Sequence, residues 1–231
     1  MGDFRFKQFT VRQDASALKV GTDAVLLGSA MTVKPSDRRM LDIGTGTGVI
    51  ALMAAQRCPD AVIEAIDIDG PSASEAASNF AASPWPDRLH AVCTPLQDYE
   101  PPANFDLIFS NPPFYDNSLP NPDERETVAR HTGSLTHADI CAFAADRLAE
   151  DGRLSLVLPS DAERRFLRSA ASFGLFPFRT VRIRTTAAKT PKRVIIELSR
   201  TRGAIEEAEL TLQDGPGRSA EYLSLTGEFY L

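Results

Sequence analysis

The sequence predicts an α/β fold with a mostly parallel sheet covered on both faces, and three observations lead there. Apolar strand-like runs alternate with runs of helical composition along most of the chain. Arg39-Met40-Leu41 reads as a short strand that enters Asp42-Ile43-Gly44-Thr45-Gly46-Thr47-Gly48, and Val49 to Gln56 then has helical composition, so the order is strand, glycine loop, helix. About twenty residues further on, a second apolar run, Ala61 to Ile66, ends in Asp67-Ile68-Asp69.

In chain order, strands are expected at 39–43, 61–67, 89–94, 105–110, 153–158, 179–185 and 193–199, with helices near 49–57, 71–82, 136–149 and 161–173. Gly152 and Gly174 follow the last two helices and read as helix stops. Thr211 to Gly217 reads as a strand end and a turn. No repeat or low-complexity linker interrupts the pattern. A single domain over 1–231 is expected, with an N-terminal helical segment (about 1–36), a core (37–202) and a tail (203–231) packed on that core.

With 231 residues, 43% of them apolar and 24% charged, one sizeable core can form without a second domain. No apolar run approaches the length of a membrane span, and Met1-Gly2-Asp3-Phe4-Arg5-Phe6 carries charge where a signal peptide needs apolar residues. These features read as a cytoplasmic protein that makes no membrane contact, expected to act as a monomer. Cys58, Cys93 and Cys141 are odd in number and widely spaced, and His90, His131 and His137 lack ligand spacing, so neither disulfides nor metal are expected.

The glycine loop suits a backbone that turns sharply and lets a ligand approach at a helix N-terminus. Asp67 falls where a carboxylate can accept from both ribose hydroxyls of an adenosine-type cofactor. Gly46-Thr47-Gly48-Val49-Ile50-Ala51 also fits the dinucleotide pattern. Asp42 weighs against a dinucleotide, because an acid there repels a pyrophosphate and suits the ammonium group of S-adenosylmethionine. After the run Phe105 to Phe109 comes Asn111-Pro112-Pro113-Phe114. An amino nitrogen conjugated to an sp² carbon is a poor nucleophile. Two acceptors on its hydrogens, the Asn111 side-chain oxygen and a backbone carbonyl presented by Pro112, favour the pyramidal form that attacks, while Phe114 stacks on the flat substrate. The plainer alternative is that Pro-Pro turns the chain.

Several segments together resemble the bacterial tRNA adenine-N6 methyltransferases that modify adenosine 37 of valine tRNA. They are Phe6-Lys7-Gln8-Phe9, Lys19 to Gly28, the Asp42 to Gly48 loop, Asn111 to Phe114, Ala129-Arg130-His131, Glu221 to Thr226 and Phe229-Tyr230-Leu231. The resemblance implies the Rossmann-like, seven-stranded class I methyltransferase fold, with the last strand antiparallel. It also implies that Asp42, Gly44, Thr45, Gly46 and Gly48 line the methionine end of S-adenosylmethionine, that Asp67 with Ile68 holds the ribose side, and that Asn111 borders both cofactor and substrate. Asp98 lies where such enzymes hold the adenine amino group, although Pro95 and Leu96 disturb the spacing and a turn role is the alternative. Lys19 and Thr22 fall in the family's cofactor-side N-terminal motif; Thr22 alternatively caps the following helix. Arg130 either positions RNA or pairs with Glu124 or Glu126, and Tyr115 either extends the stacking surface or packs.

The net charge of −6 argues mildly against a nucleic-acid partner, but its distribution is polarised. From Arg164 to Arg202 the chain carries eleven Lys or Arg and one acid, a local +10, against −16 elsewhere. Alternation puts Arg182 and Arg184 on one strand face, a phosphate track with Lys189, Lys192 and Arg193 for a tRNA bound by its anticodon loop, or else a solvated outer face. Three functions compete: adenine-N6 methylation of tRNA, glutamine-N5 methylation of a protein through the same clamp, and a non-catalytic RNA adaptor that keeps the cofactor site. The adaptor reading expects a broken motif, and the glutamine reading expects a longer N-terminal domain than the roughly 38 residues before the first core strand.

Overall fold

A hairpin of β1 (Phe4–Arg5) and β2 (Thr10–Val11) opens the computed structural model of the protein, which describes residues 2–112 and 135–230. Phe6 and Phe9 stack across the turn with ring centroids 4.5 Å apart. The helix α1 (Thr22–Ala30) follows, so the N-terminal segment expected to be helical is a hairpin, a loop and one helix.

The core elements then alternate as the hydrophobic pattern requires: β3 (Arg39–Ile43), α2 (Val49–Arg57), β4 (Val62–Asp67), α3 (Gly70–Ala81), β5 (Leu89–Cys93) and β6 (Phe105–Ser110). After the undescribed stretch come α4 (His137–Arg147), β7 (Leu148–Pro159), α5 (Glu163–Ser172), β8 (Phe176–Arg184), β9 (Arg193–Ser199) and β10 (Glu206–Thr211). A small hairpin, β11 (Gln213–Asp214) with β12 (Gly217–Arg218), leads into α6 (Ala220–Thr226).

Among the described residues β3 to β10 form one sheet in the order β10-β8-β9-β7-β6-β3-β4-β5. All neighbours are parallel except β9, which runs antiparallel to both β7 and β8. β9 is the last of the seven strands expected from sequence; β10 adds an eighth, parallel to β8, where only a strand end and turn were read. Successive residues alternate faces. Met40, Leu107, Phe109, Val157 and Ile195 join the cluster under α1, α2, α3 and α6, while Leu41, Ile108, Leu156, Leu158 and Ile196 join the one under α4 and α5.

Gly174, at φ +74, terminates α5 as expected, with the Leu175 N–H returning to the Ala170 carbonyl. Gly152 is not a helix stop. The helix before it ends at Arg147, and Leu148 to Glu150 already belong to β7. Its neighbours explain the glycine, because a Cβ there would lie 2.8 Å from the Phe105 carbonyl oxygen, beside the register shift between β6 and β7.

Beneath the sheet's working edge lies a buried polar brace. The Glu197 carboxylate, fully buried on β9, accepts from the Thr32 N–H (2.8 Å) and hydroxyl (2.9 Å), the Ser155 hydroxyl (2.8 Å) and the Arg179 guanidinium (2.7 Å). Arg153 pairs with Asp37 at 2.6 Å, both buried, and also donates to the Thr32 carbonyl. The chain joining α1 to β3 is thereby fixed to β7, β8 and β9.

Candidate active site

Because β3 is flanked by β4 on one side and β6 on the other, the chain reverses its winding direction between β3 and β6, the position at which doubly wound sheets leave a crevice at the C-terminal ends of their strands. Ile43 is in register with Ile66 and with Ser110, so Gly44, Asp67 and Asn111 leave neighbouring strands side by side. The Ser110 hydroxyl, buried, donates to the Ile43 carbonyl at 2.6 Å and pins the end of β6 to the start of the glycine loop.

The loop turns through left-handed residues at Gly44 (φ +71), Gly46 (φ +57) and Gly48 (φ +81). A Cβ on Gly44 or Gly46 would meet nothing within 4 Å, so both glycines border open space, whereas one on Gly48 would lie 2.5 Å from the Phe80 ring. Much of the loop's own N–H capacity closes the turn: Gly44 and Thr45 donate to the Ile66 carbonyl, and Gly48 donates to that of Thr45. The Gly46 N–H donates to Asp67 Oδ2 at 2.8 Å, and the Asp69 N–H to Asp67 Oδ1 at 2.9 Å. Each Asp67 oxygen retains a lone pair for a further donor. Burial raises the Asp67 carboxyl above its usual range, against the pull of those N–H groups.

Asp42 is fully buried, and its Oδ2 accepts from the Thr45 hydroxyl at 2.7 Å. Its Oδ1 has no hydrogen-bond partner among the described residues. Burial raises its carboxyl most, the Thr45 hydroxyl lowers it, and the nearby charge of Asp67 raises it again, leaving it pushed up to about 7. Across the crevice the Asn111 side-chain oxygen is likewise buried and lacks a partner among the described residues, and Pro112 after it is buried. Two unmet acceptors, one acidic and one neutral, thus border the same edge.

Ile68, next to Asp67, is 57% exposed. Asp98 is exposed in a one-turn 3₁₀ segment, Leu96–Asp98. Lys19 is directed elsewhere: its ammonium donates to the carbonyls of Gln13, Ser16 (3.2 Å) and Asp14 (3.4 Å), tying together the loop before α1. Thr22 is the exposed first residue of α1; the cap is Gly21 and no side-chain cap bond forms, so the capping alternative is not what the geometry shows. Pro113, Phe114, Tyr115 and Arg130 lie outside the described residues.

The basic strand is mostly ion-paired. Arg182 meets Glu163 at 2.8 Å and Glu207 at 3.4 Å, Arg184 meets Glu209 at 2.5 Å, and Arg193 meets Asp23 at 2.7 Å. Lys189 and Lys192, in the turn between β8 and β9, are exposed.

The methyltransferase small domain model matches residues 15–174, which includes every crevice residue described above. The tRNA1(Val) (adenine(37)-N6)-methyltransferase of Bacteroides thetaiotaomicron is 44% identical, over 99% of this chain and 97% of its own. That of Flavobacterium johnsoniae is 41% identical over 99% of both chains. The chain belongs to the tRNA1(Val) (adenine(37)-N6)-methyltransferase family. Solved structures agree in fold: a predicted O-methyltransferase of Agrobacterium tumefaciens superposes with a TM-score of 0.68 at 17% identity, covering 90% of this chain and 96% of its own.

This family member is an S-adenosylmethionine-dependent methyltransferase. The crevice fits that cofactor, since the open space before Gly44 and Gly46 leaves room for its methionine end and the Asp42 oxygen, without a partner among the described residues, suits an ammonium group. Sequence reasoning missed Ser110, for which a serine ending an apolar strand was the only local signal.

Proposed function

We propose that this chain methylates the exocyclic N6 of adenosine 37 in valine tRNA. The observation that carries the reading is the Asn111 oxygen, buried beside the glycine loop without a partner among the described residues, since a neutral acceptor left unmet there suits the hydrogens of a planar amino group. The adenine-N6 activity for which the relatives are named supports adenine as the bearer of that group.

When bound, S-adenosylmethionine supplies a methyl group on an already activated sulfonium. What the chain contributes is alignment. Asp67 and Asp42 would anchor the ribose and ammonium ends, and Asn111 with the Pro112 carbonyl would hold the amino nitrogen in line and draw its lone pair out of conjugation. Phe114 is proposed to stack on the base and Tyr115 to extend that surface, with Arg130 on the RNA. The surplus proton leaves to water. An anticodon-loop adenine unstacks at low cost, which eases its entry into the site. Lys189 and Lys192, rather than the paired Arg182 and Arg184, are the better candidates for phosphate contacts.

Transfer of labelled methyl into unmodified valine tRNA transcripts, followed by nucleoside analysis, tests this. N6-methyladenosine is expected. Label in a protein glutamine with none in RNA would move the function to the amide reading.

A further inference from the structure

Two side chains on one face of α3, Glu75 and Asn79, are spaced i,i+4 and both hydrogen-bond the N-terminal segment. Asn79, 1% exposed, accepts from the Arg12 N–H at 2.9 Å and returns an N–H to the Arg12 carbonyl at 2.9 Å. Its other amide hydrogen goes to the Thr47 carbonyl, inside the glycine loop, at 2.9 Å. Glu75 accepts from three consecutive backbone N–H groups, Asp14 (2.6 Å), Ala15 (2.8 Å) and Ser16 (2.8 Å). Lys19 holds the carbonyls of the same turn. Burial alone would raise the Glu75 carboxyl; the N–H groups of Ala15, Ser16 and Asp14 and the Ser16 side chain outweigh it and hold the carboxyl below its usual range.

The same helix also touches the other parts of the crevice. It starts at its cap Asp69, two residues after Asp67, and its Phe80 ring lies against Gly48 so closely that no side chain fits there. We infer that Asn79 and Glu75 are positioning residues of the cofactor site: through them α3 clamps residues 12–16 and the Thr47 carbonyl together, which holds the glycine loop in its cofactor-accepting form. A loop turning through three left-handed glycines has many alternative conformations. A carbonyl fixed from outside the loop selects among them. Cofactor binding held in this way does not depend on which substrate is methylated.

The test is calorimetric binding of S-adenosylhomocysteine to the full chain, with steady-state kinetics alongside. Asn79→Ala should raise Kd about tenfold, the loss of one to two buried hydrogen bonds. It should raise KM for S-adenosylmethionine in step, while kcat at saturating cofactor stays within about threefold. Glu75→Gln, which keeps the shape and loses the triple acceptor, should act in the same direction more weakly. Leu198→Ala, remote in the opposite core, controls for stability and should leave Kd unchanged. Because coupling is reciprocal, saturating wild-type protein with S-adenosylhomocysteine should slow amide exchange at Arg12 and Asp14–Ser16, a readout that survives even if the variants do not fold. Unchanged Kd in folded Asn79→Ala, or wild-type exchange at 12–16 indifferent to the ligand, would show that the clamp merely fastens the N-terminal segment.

Discussion

Asp42, Asp67 and Asn111 stand within one strand end of each other yet differ in what they ask of a ligand, and each difference can be measured. The Asp42 carboxyl moves from 3.8 to about 7 on folding, so the folded chain binds its proton more tightly than the unfolded chain. Its contribution to stability is therefore full below about pH 4, is lost as pH rises to about 7, and is constant above. Melting temperature followed across that window should show the fall, and Asp42→Asn should flatten it. A bound ammonium reverses the preference: cofactor affinity should rise with pH through about 7, with proton release seen as a buffer-dependent binding enthalpy. Asp67→Ala should weaken S-adenosylmethionine by roughly 1.5 to 3 kcal/mol, the worth of hydrogen bonds to a charged group; tight NADH binding instead would overturn the cofactor assignment. The glycine loop and Asp67 were legible because their meaning is local, a spacing along the chain. The unmet Asn111 oxygen was not, since a motif names the residue but not which of its atoms lack partners.

Among the elements, β8 shows what alternation can and cannot reveal. Arg182 and Arg184 share a face, as the pattern requires, but β10 lies alongside in parallel register and brings Glu207 and Glu209 against them, while α5 brings Glu163. The local excess of +10 excluded those three acids because they fall just outside its bounds. The signal was present in Glu206-Glu207-Ala208-Glu209-Leu210, whose alternation matches a strand that complements a basic neighbour. Neutralising Lys189 and Lys192 together should flatten the dependence of log tRNA affinity on log salt by about 1.4 to 1.8, at 0.7 to 0.9 per phosphate contact. Neutralising Arg182 and Arg184 should leave that slope nearly unchanged. The opposite ranking in a filter-binding salt series would restore the phosphate track to the strand. Glu75 and Asn79 escaped the sequence for a related reason: a helix face is visible as a period, whereas the segment it holds lies some sixty residues away.

Over the whole molecule, the crevice is only as well placed as the brace beneath it. Glu197 gathers donors from the α1–β3 connection, β7 and β8, so Glu197→Gln should cost about 3 to 5 kcal/mol by leaving buried donors opposed and Arg179 underpaired. Against a typical total of about 5 to 15 kcal/mol, urea denaturation should reveal a loss of that size readily, and one under about 1 kcal/mol would show the brace to be dispensable. The alternating core was readable from hydrophobic pattern, but the strand order was not, and neither was this brace, because its members are scattered polar residues whose only common property is burial. On that frame the proposed chemistry turns on Asn111, whose oxygen, unmet among the described residues, would accept from an adenine amino group. Mass mapping of nuclease fragments from valine tRNA transcripts treated with wild-type protein and with Asn111→Ala tests it most directly. The claim predicts N6-methyladenosine in the anticodon-loop fragment with wild-type protein and almost none with Asn111→Ala, whose cofactor affinity stays within a few-fold. Methyl at a ring nitrogen or ribose, or undiminished N6-methyladenosine from Asn111→Ala, would contradict it.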